Sequence, residues 1–219
     1  MRINSDFSER VIVRPGDIEW VASPMAGVDR QMLDRIGDEV ARATSIVRYA
    51  PQSYFPEHEH GGGEEFFVLS GIFSDETGDF PAGSYVRNPI GTRHTPHSDP
   101  GCTIFVKLQQ FDAADTEQFS TDTRSAKFDR SGNSGLSILP LHEFGSESVS
   151  LIRFYAGSGP FDFSHAGGSE ILVLEGTLND EQGAYPDGSW IRTPHLCPNR
   201  LFSKMGCLIY LKTGHLPID

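Results

Sequence analysis

The chain has 219 residues and a formal charge of −12, with 18 Lys and Arg against 30 Asp and Glu. That length suits one large domain or two small ones, and the acidic balance argues against nucleic acid as a direct partner, since phosphate binding needs a basic surface. No apolar run approaches the roughly 18 residues of a membrane span, and three scattered cysteines make no disulfide framework.

In chain order, residues 1–25 form a lead-in segment with a short apolar run, Val11-Ile12-Val13, and a Pro15-Gly16 turn. They lack the apolar region of a signal peptide, so a cytoplasmic location is expected. Abundant glycine (23) and proline (14) favour many short strands with sharp turns. Strand-like alternation runs through Ser45-Ile46-Val47-Arg48-Tyr49-Ala50 to His58-Glu59-His60. Residues two apart on a strand share a face, so His58 and His60 can aim both imidazoles at one point. Gly61-Gly62-Gly63 lets the backbone turn and bring Glu64 back towards them. Two imidazoles and a carboxylate converging in a small volume is ligand chemistry for a transition metal. Glu65-Phe66-Phe67-Val68-Leu69 then reads as a buried strand, closed by Ser70-Gly71. A further strand, Gly83 to Asn88, leads through a Pro89-Ile90-Gly91 turn to His94. Cys102 to Leu108 is another strong strand, and residues 112–135 are polar, without a clear period.

These stretches resemble the two cupin motifs, H-x-H-x(3)-E-x(6)-G and G-x(5)-P-x-G-x(2)-H, with every named position met and eleven residues between Gly71 and Gly83. The resemblance implies a double-stranded β-helix with His58, His60, Glu64 and His94 as ligands of a divalent transition metal. Zinc is expected first, with iron, manganese or nickel as alternatives. One departure is Ser98, where the family usually has asparagine; that position is not a ligand.

The chain also repeats itself at an offset of 105 residues, without a gap from Arg48 to Lys107. Glu65 recurs as Glu170, Gly71 as Gly176, Arg87 as Arg192, and Gly101-Cys102 as Gly206-Cys207. The expected fold is therefore all-β, two tandem cupin jelly-roll barrels: residues 1–115, a linker at 116–135, and residues 136–219. At the four ligand positions the second copy has Phe163, His165, Ser169 and Asn199, too few donors for a divalent ion, so one ion per chain is expected. Glu65, retained in both halves, reads as structural, pairing with an arginine on a neighbouring strand. His97 reads as a rim residue. Cys197, beside His195, reads as a buried thiol rather than part of a rebuilt site with His165, and Cys102 and Cys207 as core. Asp75-Glu76, recurring as Asp180-Glu181, reads as a hairpin tip. Lys107 and Gln109 are candidate polar groups of the pocket.

Wider stretches are similar to the cupin of the ChrR anti-sigma factor family: Ser23-Pro24-Met25-Ala26-Gly27-Val28, Gly62-Gly63-Glu64-Glu65-Phe66, and Arg87 through Pro96. The similarity implies a zinc-binding cupin in a sensing or regulatory role. Sigma factor binding is not expected, because that family uses a separate Cys-x-x-Cys zinc domain and this sequence has no such motif. A small-molecule ligand is the expected partner, and a homo-oligomer is compatible with the fold. Relatives in the same cupin group are metal dioxygenases acting on diketones or hydroxyketones, which gives the alternative reading. Three nitrogens and one oxygen either close a tetrahedral zinc site or leave two octahedral positions open.

Overall fold

The computed structural model describes residues 1–38, 40–130 and 135–218. Among them the regular structure is strand, all of it paired antiparallel, and no helix is long and apolar enough to cross a membrane. The chain divides into two compact units, one of Met1–Ser5 with Glu19–Ser125, the other of Asp6–Ile18 with Ala126–Asp219.

In the first unit the main sheet runs Val28–Gly37, Ala41–Tyr49, Cys102–Leu108, Glu64–Asp75, Ser84–Asn88 and Phe119–Asp122 in spatial order. Its pleat sorts the two neighbouring glutamates. Phe66 and Val68, with Val86, Ile104 and Val106 on adjoining strands, form the apolar core. Glu64 shares their side of the sheet, aligned with Leu108 and Asn88. Glu65 lies on the other side, between Lys107 and Arg87 in register. There it accepts hydrogen bonds from Arg87 at 2.8 Å and from the Tyr85 hydroxyl at 2.7 Å. Glu65 thus pairs with an arginine one strand away. Arg87 also reaches Asp115 and stacks on Phe111, so its buried charge is met on three sides.

The second unit repeats this order with Leu136–Phe144, Glu147–Phe154, Cys207–Thr213, Ser169–Asp180, Trp190–Thr193 and Val11–Val13. The long strands Glu64–Asp75 and Ser169–Asp180 have the same burial class at all twelve positions. Both bend at a glycine with positive φ, Gly71 at 72° and Gly176 at 75°. A Cβ there would lie 2.0 and 2.3 Å from the carbonyl oxygens of Gly101 and Gly206, so no other residue fits. The second core is Leu136, Ile152, Phe154, Ile171, Val173, Leu178 and their neighbours.

The outermost strand of each unit comes from where the sequence pattern did not place it. Val11–Val13, read as part of the first barrel's lead-in, pairs with Trp190–Thr193 of the second unit. Within the stretch read as a linker, Phe119–Asp122 pairs with Ser84–Asn88, and Asp129–Arg130 with Leu136–Phe144. Residues 131–134 of that stretch lie outside the described residues. Strands of two to four residues carry too little alternation to announce their partners.

Candidate metal centre

The four motif residues meet inside the first unit. His58 and His94 face each other in register on the short ladder of His58–Glu59 with Arg93–His94. His60, just past that ladder, gives its N–H to the Thr92 carbonyl at 2.9 Å and accepts from Gly91 N–H at 3.0 Å. The Pro89-Ile90-Gly91 turn thereby fixes His60, while the core strand delivers Glu64. One donor atom from each of the four lies within 4.8 Å of every other. His60 Nε2 and His94 Nε2 are each 3.6 Å from Glu64 Oε1, and His94 Nε2 is 3.2 Å from His58 Nε2. The glycine run is needed for closeness: a Cβ on Gly62 would meet the Gln109 side chain at 2.1 Å.

The outer hydrogen bonds decide which nitrogen each ring offers. Thr92 Oγ1 donates to the Pro89 carbonyl at 2.7 Å, so it accepts from His60 Nδ1–H at 2.8 Å. His94 Nδ1–H donates to Asp75 Oδ2 at 3.2 Å, and His58 Nδ1–H to the Pro56 carbonyl at 3.3 Å. With Nδ1 protonated in each ring, all three Nε2 lone pairs and a carboxylate point into one volume. Lone pairs at such separations repel unless a cation sits among them. His60 Nε2 is moreover buried without a hydrogen-bond partner. The donor set, its tautomers and its outer partners fit a divalent transition metal.

Burial pushes the His60 pKa down, against the pull of Glu64, which keeps the ring neutral and ready to ligate. Burial also opposes charge on His94, but the Asp75 hydrogen bond and the carboxylates of Glu64, Asp75 and Glu76 outweigh it and raise its pKa. Asp75 is the partner of His94 that the sequence pattern concealed. The hairpin turn is real, and Asp75 Oδ1 caps it by accepting from Thr77 N–H at 2.8 Å. Its other oxygen holds His94. Asp180 caps the equivalent turn of the second unit with Oδ1, accepting from Gln182 N–H at 2.7 Å, but gives Oδ2 to Arg10. The recurrence of Asp75 as Asp180 reports the cap; the second oxygen's partner left no mark in the sequence.

A cavity of about 360 Å³ opens beside the centre, bordered by His58, His60 and Glu64. Val28, Val47, Ile104, Val106 and Leu108 give it an apolar wall; Ser45, Tyr49 and Gln109 add polar groups. Burial, with the charge of Glu64, raises the Tyr49 pKa far above its ordinary value, so its hydroxyl stays a hydrogen-bond donor. Gln109 reaches the cavity because its φ of 59° breaks the strand alternation. Lys107 does not: it faces the other side of the sheet and donates to Thr44 Oγ1 at 2.8 Å. His97 stacks on Tyr54 at 5.7 Å, apart from the four-residue group.

In the second unit Phe163 faces Asn199 in the register of His58 and His94. Phe163 lies 6.3 Å from Phe154 and 6.0 Å from His165, and Phe161 is 6.0 Å from Phe154. Phe163, at the position of His58, thus joins an aromatic cluster with Phe154 and Phe161. Among the described residues no three ligand atoms gather there. His195 is exposed and accepts from Gly167 N–H at 2.9 Å. Cys197 is half-buried rather than buried, its thiol 3.9 Å from the Pro198 carbonyl. Cys102 and Cys207 are buried in the two cores, which pushes each thiol up to about 11.

Solved structures with the same fold include a presumed dioxygenase from Nostoc punctiforme, 13% identical, TM-score 0.79, covering 97% of this chain and 85% of that one. A presumed glyoxylate-induced protein from Pseudomonas aeruginosa is 16% identical with a TM-score of 0.77, covering 96% and 90% of the two chains. The protein Ylba from E. coli is 14% identical with a TM-score of 0.73, covering 98% and 94%. No curated protein matches the sequence. The ChrR cupin-like domain family matches it twice, over residues 8–112 and 116–217. This protein, a tandem pair of cupin barrels, belongs to the ChrR cupin-like family.

Proposed function

We propose that the first unit binds one divalent transition metal through His58, His60, Glu64 and His94, zinc first among the candidates, and works as a metal-dependent small-molecule-binding module of sensing or regulatory type. The observation that carries this reading is the convergence of three Nε2 lone pairs and a carboxylate, with the tautomers set by Thr92, Asp75 and Pro56. Asp75 and Thr92 hold two rings in place, so little reorganisation is needed on binding. When bound, such an ion supplies Lewis acidity to an oxygen ligand beside it. Elemental analysis of the purified protein is expected to find one transition metal per chain. A metal-free protein that takes up none on titration would end the proposal.

The cavity favours a second reading. A closed structural zinc site needs no space beside it, whereas here about 360 Å³ borders three of the four ligands. The fold neighbour from Nostoc punctiforme is described as a presumed dioxygenase, which is compatible with oxygen chemistry at such a centre. Tyr49 holds its proton and so is not a base at the cavity. Oxygen uptake by the iron-loaded protein with β-diketones separates the two readings: turnover makes it an enzyme, and binding without uptake leaves the sensing role.

A further inference from the structure

In both units the chain leaves the strand after the core and crosses the ligand loop by the same backbone hydrogen bonds. Gln109 N–H donates to the Gly63 carbonyl at 3.0 Å, and Phe111 N–H to the Gly62 carbonyl at 3.2 Å. At the equivalent places Gly214 N–H donates to the Gly168 carbonyl at 3.0 Å, and Leu216 N–H to the Gly167 carbonyl at 2.9 Å. Each crossing needs a left-handed residue, Gln109 at φ 59° and Gly214 at φ 76°. The second unit meets that need with glycine, which takes a left-handed backbone without strain. The first unit uses glutamine, whose Cβ makes the same backbone costly. The backbone therefore gives no reason for a glutamine. The reason lies in its side chain.

That side chain lies along the loop between His60 and Glu64: a Cβ on Gly61 would be 3.9 Å from Gln109 Nε2, and one on Gly62 2.1 Å from Oε1. Gln109 borders the cavity together with His58, His60 and Glu64, and among the described residues no hydrogen bond engages its amide. Such an amide has two donor hydrogens and an acceptor to offer a guest. The cavity walls divide in the same sense. Val47, Ile104 and Val106 recur as Ile152, Ile209 and Leu211, all apolar. Two polar members are lost together with the metal ligands, Tyr49 to Phe154 and Gln109 to Gly214.

We propose that Gln109 is a ligand-orienting residue, its amide N–H donating to the oxygen end of a small chelating molecule seated at His58, His60, Glu64 and His94. The inference rests on the metal-centre reading above and deepens it by naming the residue that orients the guest. A chelating oxygen carries negative charge, and a hydrogen bond to it is stronger than one between neutral groups. An amide supplies that bond without a charge of its own, so it neither repels the ion nor competes with the guest for it. The guest's hydrocarbon part lies on Val47, Ile104 and Val106.

Calorimetric titration of the cobalt-loaded protein with acetohydroxamate, a small oxygen chelator, tests this; cobalt(II) takes the same nitrogen and oxygen donors as zinc. Two variants separate a hydrogen bond from packing. Gln109→Met keeps the side chain's length and loses the amide, and Gln109→Gly makes the second unit's choice. Both are expected to bind acetohydroxamate about tenfold more weakly than wild type at unchanged cobalt content, the loss of one hydrogen bond to a charged oxygen. Gln109→Gly is also expected to keep or raise the denaturation midpoint, since it relieves a left-handed residue of its Cβ. Wild-type affinity in Gln109→Met, or in Gln109→Gly where the methionine variant does not fold, overturns the inference and leaves the metal centre intact. A lowered midpoint in Gln109→Gly makes the side chain a packing element and overturns it too, as does a cobalt-loaded wild type that binds no acetohydroxamate. Failure of the wild type to hold cobalt overturns both readings.

Discussion

The two barrels share strand order, register, the glycine bend of their longest strands and its burial pattern, yet they do opposite things with the space inside. The first spends it on three imidazoles, a carboxylate and a cavity of about 360 Å³; the second places Phe163 at the position of His58, clustered with Phe154 and Phe161. The same backbone thus carries aromatic side chains in one unit and polar, metal-ligating types in the other, and the first cavity reflects its side chains. Tyr49 and Phe154, equivalent across the repeat, make the point: one ring borders the cavity with a hydroxyl, the other is sealed at 1% exposure. Three ligand-position changes and the apolar infill go together, as they must. A void of that size without a ligand or ion forfeits packing that the second core regains.

The widest gap between the barrels should appear when first-barrel ligands are replaced by their second-barrel counterparts. The triple change His58→Phe, Glu64→Ser and His94→Asn is expected to abolish metal binding, measured by elemental analysis; retained metal would show that the ion sits elsewhere. The two adjacent glutamates should separate cleanly. Glu65→Ala leaves Arg87 partly unpaired in the interior and is expected to cost about 3–5 kcal/mol in chemical denaturation, at unchanged metal stoichiometry. Phe154→Ala, in the packed core, should cost a similar 3–5 kcal/mol, and Tyr49→Ala less, because its ring already borders open space. Equal losses would mean the first barrel is packed as tightly as the second.

Asp75→Asn is the subtler change, expected to weaken metal binding about 10–100-fold without removing it. Its pH dependence has a definite sign. Protons compete with metal for His94, whose pKa is raised, so affinity should be constant above that pKa and fall as pH drops through it, from at or above the ordinary histidine value of about 6.5. In the metal-free chain the His94–Asp75 pair contributes stability that is fully present below the unfolded histidine pKa and is lost as pH rises through the raised one. Asp75→Asn should move the onset of proton competition to lower pH. An unchanged onset would mean that the other carboxylates, not Asp75, hold the proton on His94.

The fold and the convergence of His58, His60, Glu64 and His94 were legible in the sequence because both are written in short-range geometry. The two-residue period places His58 with His60 and sorts Glu64 from Glu65; Gly71 and Gly176 mark bends that only glycine permits. The second copy at a fixed offset showed which residues are scaffold. What stayed hidden depends on long-range partners. Nothing in Val11–Val13 or Phe119–Asp122 says which barrel they complete. The repeat itself masked Asp75, since Asp180 keeps the same turn with one oxygen and spends the other on Arg10. Lys107 followed the strand's alternation to the far side, while Gln109 left it through an unusual φ.

Metal titration of the stripped protein, in wild type, His60→Ala and His165→Ala, tests most directly whether the first barrel alone holds metal. Wild type should saturate at one ion per chain, His60→Ala should lose affinity by orders of magnitude, and His165→Ala should titrate as wild type. Two ions in wild type, or equal depletion in both variants, would contradict it.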